Sequence, residues 1–224
     1  VLLGALQGVA EFLPISSSGH LSIVQTLFGL EEVPLLYDVF LHLATLAAVV
    51  IFFRKQIWEL LKIFGRWICK KPAGEKELPK ENDNIISGND FYGRKAIIAI
   101  IISTVITGAI GVVTSKIIPD MPCKIICAGF LLTSALLIIS AKIEKRNSKK
   151  SPEEKKDLKP VSILQSVVIG FMQGFGTLPG ISRSGSTIAG ALLSGVDRKS
   201  AGEYSFIVSI PAILGAFILE VKDL

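Results

Sequence analysis

Charge is nearly absent from two long stretches of this 224-residue chain. Residues 96–118 hold one charged side chain, Lys116, and residues 123–141 hold one, Lys124. Each stretch can cross about 30 Å of hydrocarbon at about 1.5 Å per helical residue. Composition points the same way: 50% of residues are hydrophobic and the mean hydropathy is +0.57, too apolar for a water-facing surface. Cysteine is scarce, three residues without a Cys-x-x-Cys pair, which removes the usual metal and redox signatures. Cys123 and Cys127 share a helix face and read as packing residues. A basic leader and a small-residue cleavage site are missing, and the first apolar stretch runs into Glu11 and Pro14, so it does not read as a signal peptide. There is no initiator Met, and Leu224 falls just past an apolar segment; the expectation is a chain truncated at its C-terminus.

The segments 35–53 and 203–219 are further predicted spans. The formal charge of +5 does not imply nucleic acid, because 18 of the 24 Lys and Arg residues fall in or beside two regions, 54–95 and 142–159. Two spans separate these regions, so they share one side of the membrane, and the positive-inside rule makes it cytoplasmic. The loop with Glu31 and Glu32 then lies outside. Residues 57–68 place Ile57, Leu60, Leu61, Phe64, Trp67 and Ile68 at helical spacing among charges, as in a helix lying at the interface. Residues 72–90 read as a polar loop and 144–160 as a charged connector.

An internal repeat with an offset of 166 organises the chain. Gly4, Gln7 and Gly8 recur as Gly170, Gln173 and Gly174; Ile15, Ser16, Ser18 and Gly19 recur as Ile181, Ser182, Ser184 and Gly185; Phe40 recurs as Phe206. In both copies a short Gly-x-x-x-Gly run is broken, by Pro14 or by Pro179–Gly180, before a Ser-rich turn and a second short run. Each copy predicts a re-entrant pair of half-helices whose glycines allow close helix approach. With three crossings between them, the copies enter from opposite faces. The expected fold is all-α: one polytopic membrane domain over 1–224, with inverted-topology repeats at about 1–54 and from about 162 onward.

Irregular backbone at membrane depth has to be buried in protein or line a watery cavity. Here it brings Glu11, Ser16, Ser17, Ser18 and His20 together with Thr177, Ser182, Arg183, Ser184, Ser186 and Thr187. An intramembrane charge costs upward of about 2.5 kcal/mol, so Glu11 and Arg183 call for each other or for a ligand. The turn Pro179–Thr187 suits an oxyanion: Gly180 and Gly185 permit backbone approach, the following half-helix offers N–H groups, hydroxyls add donors, and Arg183 supplies a planar fork. Gln7 and Glu11 share a helix face and can address a cation or a water. Ser17 offers a nucleophile, and His20 a group that exchanges protons near neutral pH. Asp38 and His42, one turn apart, read equally as supports of this site or as a buried pair; Glu203 supports the site or sits at the interface.

Gln7–His20 resembles the first signature of bacterial undecaprenyl-diphosphate phosphatases, the bacitracin-resistance family. Pro179–Thr187 resembles the second, and Gly202–Pro211 a third stretch of that family. The resemblance implies an enzyme of the bacterial inner membrane with its site facing the periplasm. It would cleave the terminal phosphate from undecaprenyl diphosphate, regenerating the lipid carrier for cell-wall synthesis. It carries catalytic roles to Glu11, Ser17, His20 and Arg183, with Ser16, Ser18, Gly180, Ser182, Ser184, Gly185 and Thr187 around the phosphate. It also implies a divalent cation, Mg2+ or Ca2+, at Glu11 and Gln7; many members have Glu in place of Gln7, so the charge there is reduced. Partners would be the polyprenyl diphosphate and membrane lipids; oligomeric state is open. The competing reading is a secondary transporter or lipid flippase, since inverted repeats with broken helices are transporter architecture. A second lipid-phosphatase superfamily is set aside because its Lys-x6-Arg-Pro element is missing.

Overall fold

The computed structural model describes residues 1–30, 35–72, 90–117, 122–150 and 161–222. Among these residues the chain is helical, with α1 (Leu2–Phe12), α2 (Ser17–Leu27), α3 (Leu35–Phe52), α4 (Arg54–Ile68), α5 (Asp90–Ile117), α6 (Cys123–Lys150), α7 (Ile163–Phe175), α8 (Arg183–Leu193) and α9 (Arg198–Lys222). Gly93–Thr114, Cys123–Arg146 and Arg198–Leu219 are long and apolar enough to cross a bilayer. Only 22% of the Cys123–Arg146 window is buried in protein, and large side chains such as Leu131 and Val105 stand outward at 74% and 65% exposure. An apolar surface of that extent is one that lipid covers. The chain is a multi-pass membrane protein.

The charged stretch 144–150, expected as connector, continues α6 as helix; 151–160, 73–89 and the loop with Glu31 and Glu32 lie outside the described residues. Helix α4 leaves α3 at a bend of 79°, as suits an interfacial helix. Its apolar side is split. Leu60 and Ile63 are buried with Phe53, Ala96 and Ile97, whereas Trp58, Leu61, Phe64 and Ile68 are exposed.

Helices α2 and α8 start 166 residues apart and end 166 residues apart, the offset of the sequence repeat. Their N-caps also correspond: the Ser16 hydroxyl accepts from the Gly19 N–H and the Ser182 hydroxyl from the Gly185 N–H. Ser17 and Arg183 are therefore matching first residues of matching short helices. The flanking glycines behave differently in the two copies. A Cβ on Gly170 would come within 2.9 Å of Ser103 Cα, and one on Gly174 within 2.7 Å of Ile110, so α7 packs closely on α5. Ser103 Oγ donates to the Ser166 carbonyl at 2.8 Å and lies 3.0 Å from Tyr204 Oη, which ties in α9. In the first copy, Gly8 has nothing within 4 Å of its Cβ position, so the expected close approach there does not occur.

Gly180 decides how the second turn sits. Its φ is +87°, and a methyl there would run into the Ile126 backbone carbonyl. Gly180→Ala is expected to lower stability by roughly 2–3 kcal/mol, from left-handed backbone and collision together. Gly8→Ala, in open space inside α1, should be neutral or slightly stabilising. Thermal unfolding in detergent compares the two; equal midpoints would contradict this packing.

Candidate active site

The two Ser-rich turns meet in one cavity of about 680 Å3. Ser16, Ser17 and Ser18 line one wall, Ser182, Arg183 and Ser184 another, with Glu11, Gln25, Asp38 and His42 between them. The N-terminal turns of α2 and α8 thus border the same space, and free N–H groups at a helix start favour an anion. Ser16, in a left-handed conformation at φ 69°, sets the direction in which α2 leaves the turn. A non-glycine residue held there costs about 1–3 kcal/mol and is a common feature of functional sites.

Glu11 is the hub. Arg183 Nη2 is hydrogen-bonded to Glu11 Oε1, joining the two motifs across 172 residues of sequence. On the other oxygen, Ser17 Oγ donates to Oε2 at 2.5 Å and Gln7 Nε2 donates at 3.2 Å. His42 Nε2 stands 3.8 Å from the same oxygen. The side chains of Glu11 and Arg183 are 13% and 19% exposed, so the pair is largely withdrawn from solvent yet reaches the cavity. Against it also lies a small void of about 10 Å3, one water's worth, whose lining includes Thr45, Thr187, Ser205 and Ser209. The pair borders both spaces.

Several expected residues are elsewhere. His20 is not among the cavity-lining residues. Its Nδ1–H donates to the Ser16 carbonyl at 2.7 Å, and its ring rests on Phe130 with centroids 4.7 Å apart, so it braces the turn from behind. Gly180 and Gly185 pack against α6 and the Ser182 side chain. Thr187 faces the small void and donates to the Arg183 carbonyl at 2.6 Å. Gln7 is buried beneath Glu11, and Glu203 lines neither space. Gln25, unmarked in the sequence, reaches the wall from α2 and donates to Asp38 Oδ1 at 2.9 Å. Asp38 and His42 were legible only as polar residues one turn apart in an apolar segment.

These donors do not suit a resident divalent cation. Among the described residues no group of three or more His, Cys, Asp and Glu is placed to hold one. Both Glu11 oxygens already accept hydrogen bonds, one of them from a cation, and Gln7 turns its NH2 toward Glu11. Gln7 Oε1 is buried without a partner, but one carbonyl does not make a site for an ion that takes six or more ligands.

The family model described as "Bacitracin resistance protein BacA" matches residues 1–224, the whole chain. The chain belongs to this bacitracin resistance family. A similar protein is the undecaprenyl-diphosphatase of Treponema denticola, 45% identical over 223 residues that cover 100% of this chain and 74% of that one. The undecaprenyl-diphosphatases of Desulfatibacillum aliphaticivorans and Methanosphaera stadtmanae are 44% and 37% identical, each match covering 100% of this chain and 76% of the relative. Both motifs of the bacitracin resistance family contribute to the cavity wall, one through Glu11 and Ser17, the other through Arg183.

Proposed function

We propose that this chain is an undecaprenyl-diphosphate phosphatase, releasing inorganic phosphate and undecaprenyl phosphate. The observation that carries this reading is the convergence of a hydroxyl, a carboxylate and a guanidinium on one cavity. Phosphoryl transfer is mostly positioning and charge stabilisation, and these groups supply both. Arg183 and the N–H groups opening α2 and α8 hold the terminal phosphate, which displaces the arginine from Glu11. Ser17 Oγ attacks the terminal phosphorus and passes its proton to Glu11 Oε2, its hydrogen-bond acceptor. The bond from phosphorus to the bridging oxygen breaks, and undecaprenyl phosphate leaves with that oxygen. Water then attacks the phosphoserine, the P–Oγ bond breaks, and Ser17 regains its proton as phosphate departs. Removing the terminal phosphate of the lipid diphosphate in this way recycles the monophosphate carrier for cell-wall synthesis.

The lining residues favour one side of the membrane. Cys123 begins α6 on the face opposite the lysine-rich 142–150 segment, and Ile126 lines the cavity together with Ile213, Ala216 and Phe217 from the far end of α9. With the basic regions cytoplasmic, the site faces outward, the periplasmic side in an inner membrane. A lipid diphosphate would enter there with its tail along the apolar helices, each buried methylene contributing about 0.8 kcal/mol.

The divalent cation belongs with the diphosphate in this reading, as its counter-ion. EDTA-washed protein is therefore expected to retain no stoichiometric Mn2+ until a diphosphate is added. One Mn2+ per chain without a diphosphate, lost in Glu11→Gln, would contradict this. The activity itself is tested by phosphate release from a polyprenyl diphosphate by purified protein in detergent; no release above an Arg183→Ala control would sink the proposal.

A further inference from the structure

When a phosphate takes Arg183, Glu11 loses the one arginine or lysine partner it has among the described residues. What remains on Glu11 is Ser17 and Gln7, both neutral donors and both on Oε2. A buried carboxylate stripped of its counter-charge is costly, so substrate binding carries that penalty unless another group steps in.

The geometry points to His42 as that group: a positioning residue that takes over Glu11 as Arg183 turns to the phosphate. This inference rests on the proposed phosphatase reading. Several observations carry it. His42 Nε2 lies 3.8 Å from Oε2, too long for a hydrogen bond in the paired state and about one small side-chain shift from making one. The ring is held at its other end, where Nδ1–H donates to the Asp38 carbonyl at 2.8 Å, so its remaining nitrogen is directed by the helix. Asp38 is fixed in turn by Gln25 from α2, which joins the wall carrying His42 to the half-helix carrying Ser17. The groups facing the imidazole are thus Glu11 from α1, the Asp38 carbonyl and the nearby Asp38 carboxylate on its own helix, and the cavity. His42, not His20, is the imidazole of this site; since Nδ1–H is held by the Asp38 carbonyl, it donates to Glu11 from Nε2 as the doubly protonated, positively charged ring.

A charged donor at this position is what matters, so a neutral glutamine amide, which donates without bringing charge, should restore only part of the binding. The probe is binding of farnesyl methylenediphosphonate, which cannot be hydrolysed, to the full chain in detergent, read beside thermal unfolding. His42→Leu is expected to raise Kd roughly tenfold, within the coupling range of contacting residues, while His42→Gln returns to within about threefold of wild type. In a Glu11→Gln background, His42→Leu should change Kd by less than about twofold, because a neutral partner needs no replacement charge. Should the leucine variant lose its thermal transition, His42→Met, an unbranched chain without a donor, is compared instead. A wild-type Kd in the donor-less variant overturns the inference, and so does a glutamine variant as weak as leucine. Phosphonate binding that survives Arg183→Ala would instead overturn the underlying site reading, whatever His42 does.

Discussion

Replacing Arg183 by alanine should lower kcat for phosphate release by about 10^3-fold, since arginine removal at a phosphoryl-transfer site costs in that range. That loss corresponds to about 4 kcal/mol of transition-state stabilisation at about 1.4 kcal/mol per tenfold. The same change leaves Glu11 buried without its partner, and breaking a largely buried pair costs about 3–5 kcal/mol of stability. Two effects are therefore superimposed, and a second variant separates them. Arg183→Ala combined with Glu11→Gln should regain most of the lost thermal stability while staying inactive. Arg183→Lys keeps the charge but loses the two-pronged geometry, so it should fold well and remain well below wild-type rate. An Arg183→Ala protein that turns over at the wild-type rate would remove phosphate binding from this residue.

Ser17→Ala carries the other large effect. Loss of the nucleophile should reduce kcat by on the order of 10^4-fold or more, as for other covalent catalysts. Its structural cost should be small, about 1 kcal/mol for one hydrogen bond to Glu11, so folding and phosphonate binding should survive. Rapid quenching of wild type with labelled substrate, followed by peptide mapping, should place phosphate on Ser17. Full activity in Ser17→Ala, or label on His20 instead, would reassign the nucleophile.

Much of this was readable from the chain. The nearly uncharged runs at 96–118 and 123–141 became α5 and α6, and the sharp bend after α3 agreed with the amphipathic pattern at 57–68. The cost of leaving either charge alone at membrane depth left two outcomes for Glu11 and Arg183, each other or a ligand, and the structure shows the pair. Other parts were hidden because half-helices are short and polar on more than one side. Which face of α2 meets the cavity depends on the left-handed backbone at Ser16, and that rotation sends His20 to Phe130 and Ser17 to Glu11. Gly180 and Gly185 looked like phosphate-loop glycines, yet their missing side chains make room for α6 and for Ser182. A glycine read in sequence does not say whether ligand or protein fills the space beside it. Gln25 gave no signal because its partner, Asp38, lies on another helix.

That both motifs serve one phosphate is tested most directly by the Ser17→Ala/Arg183→Ala double variant. Residues acting as a unit in one step are strongly non-additive. One shared site predicts that the double variant releases phosphate at about the rate of the slower single variant. A loss equal to the product of the two single losses would mean that the two turns work independently, and would contradict it.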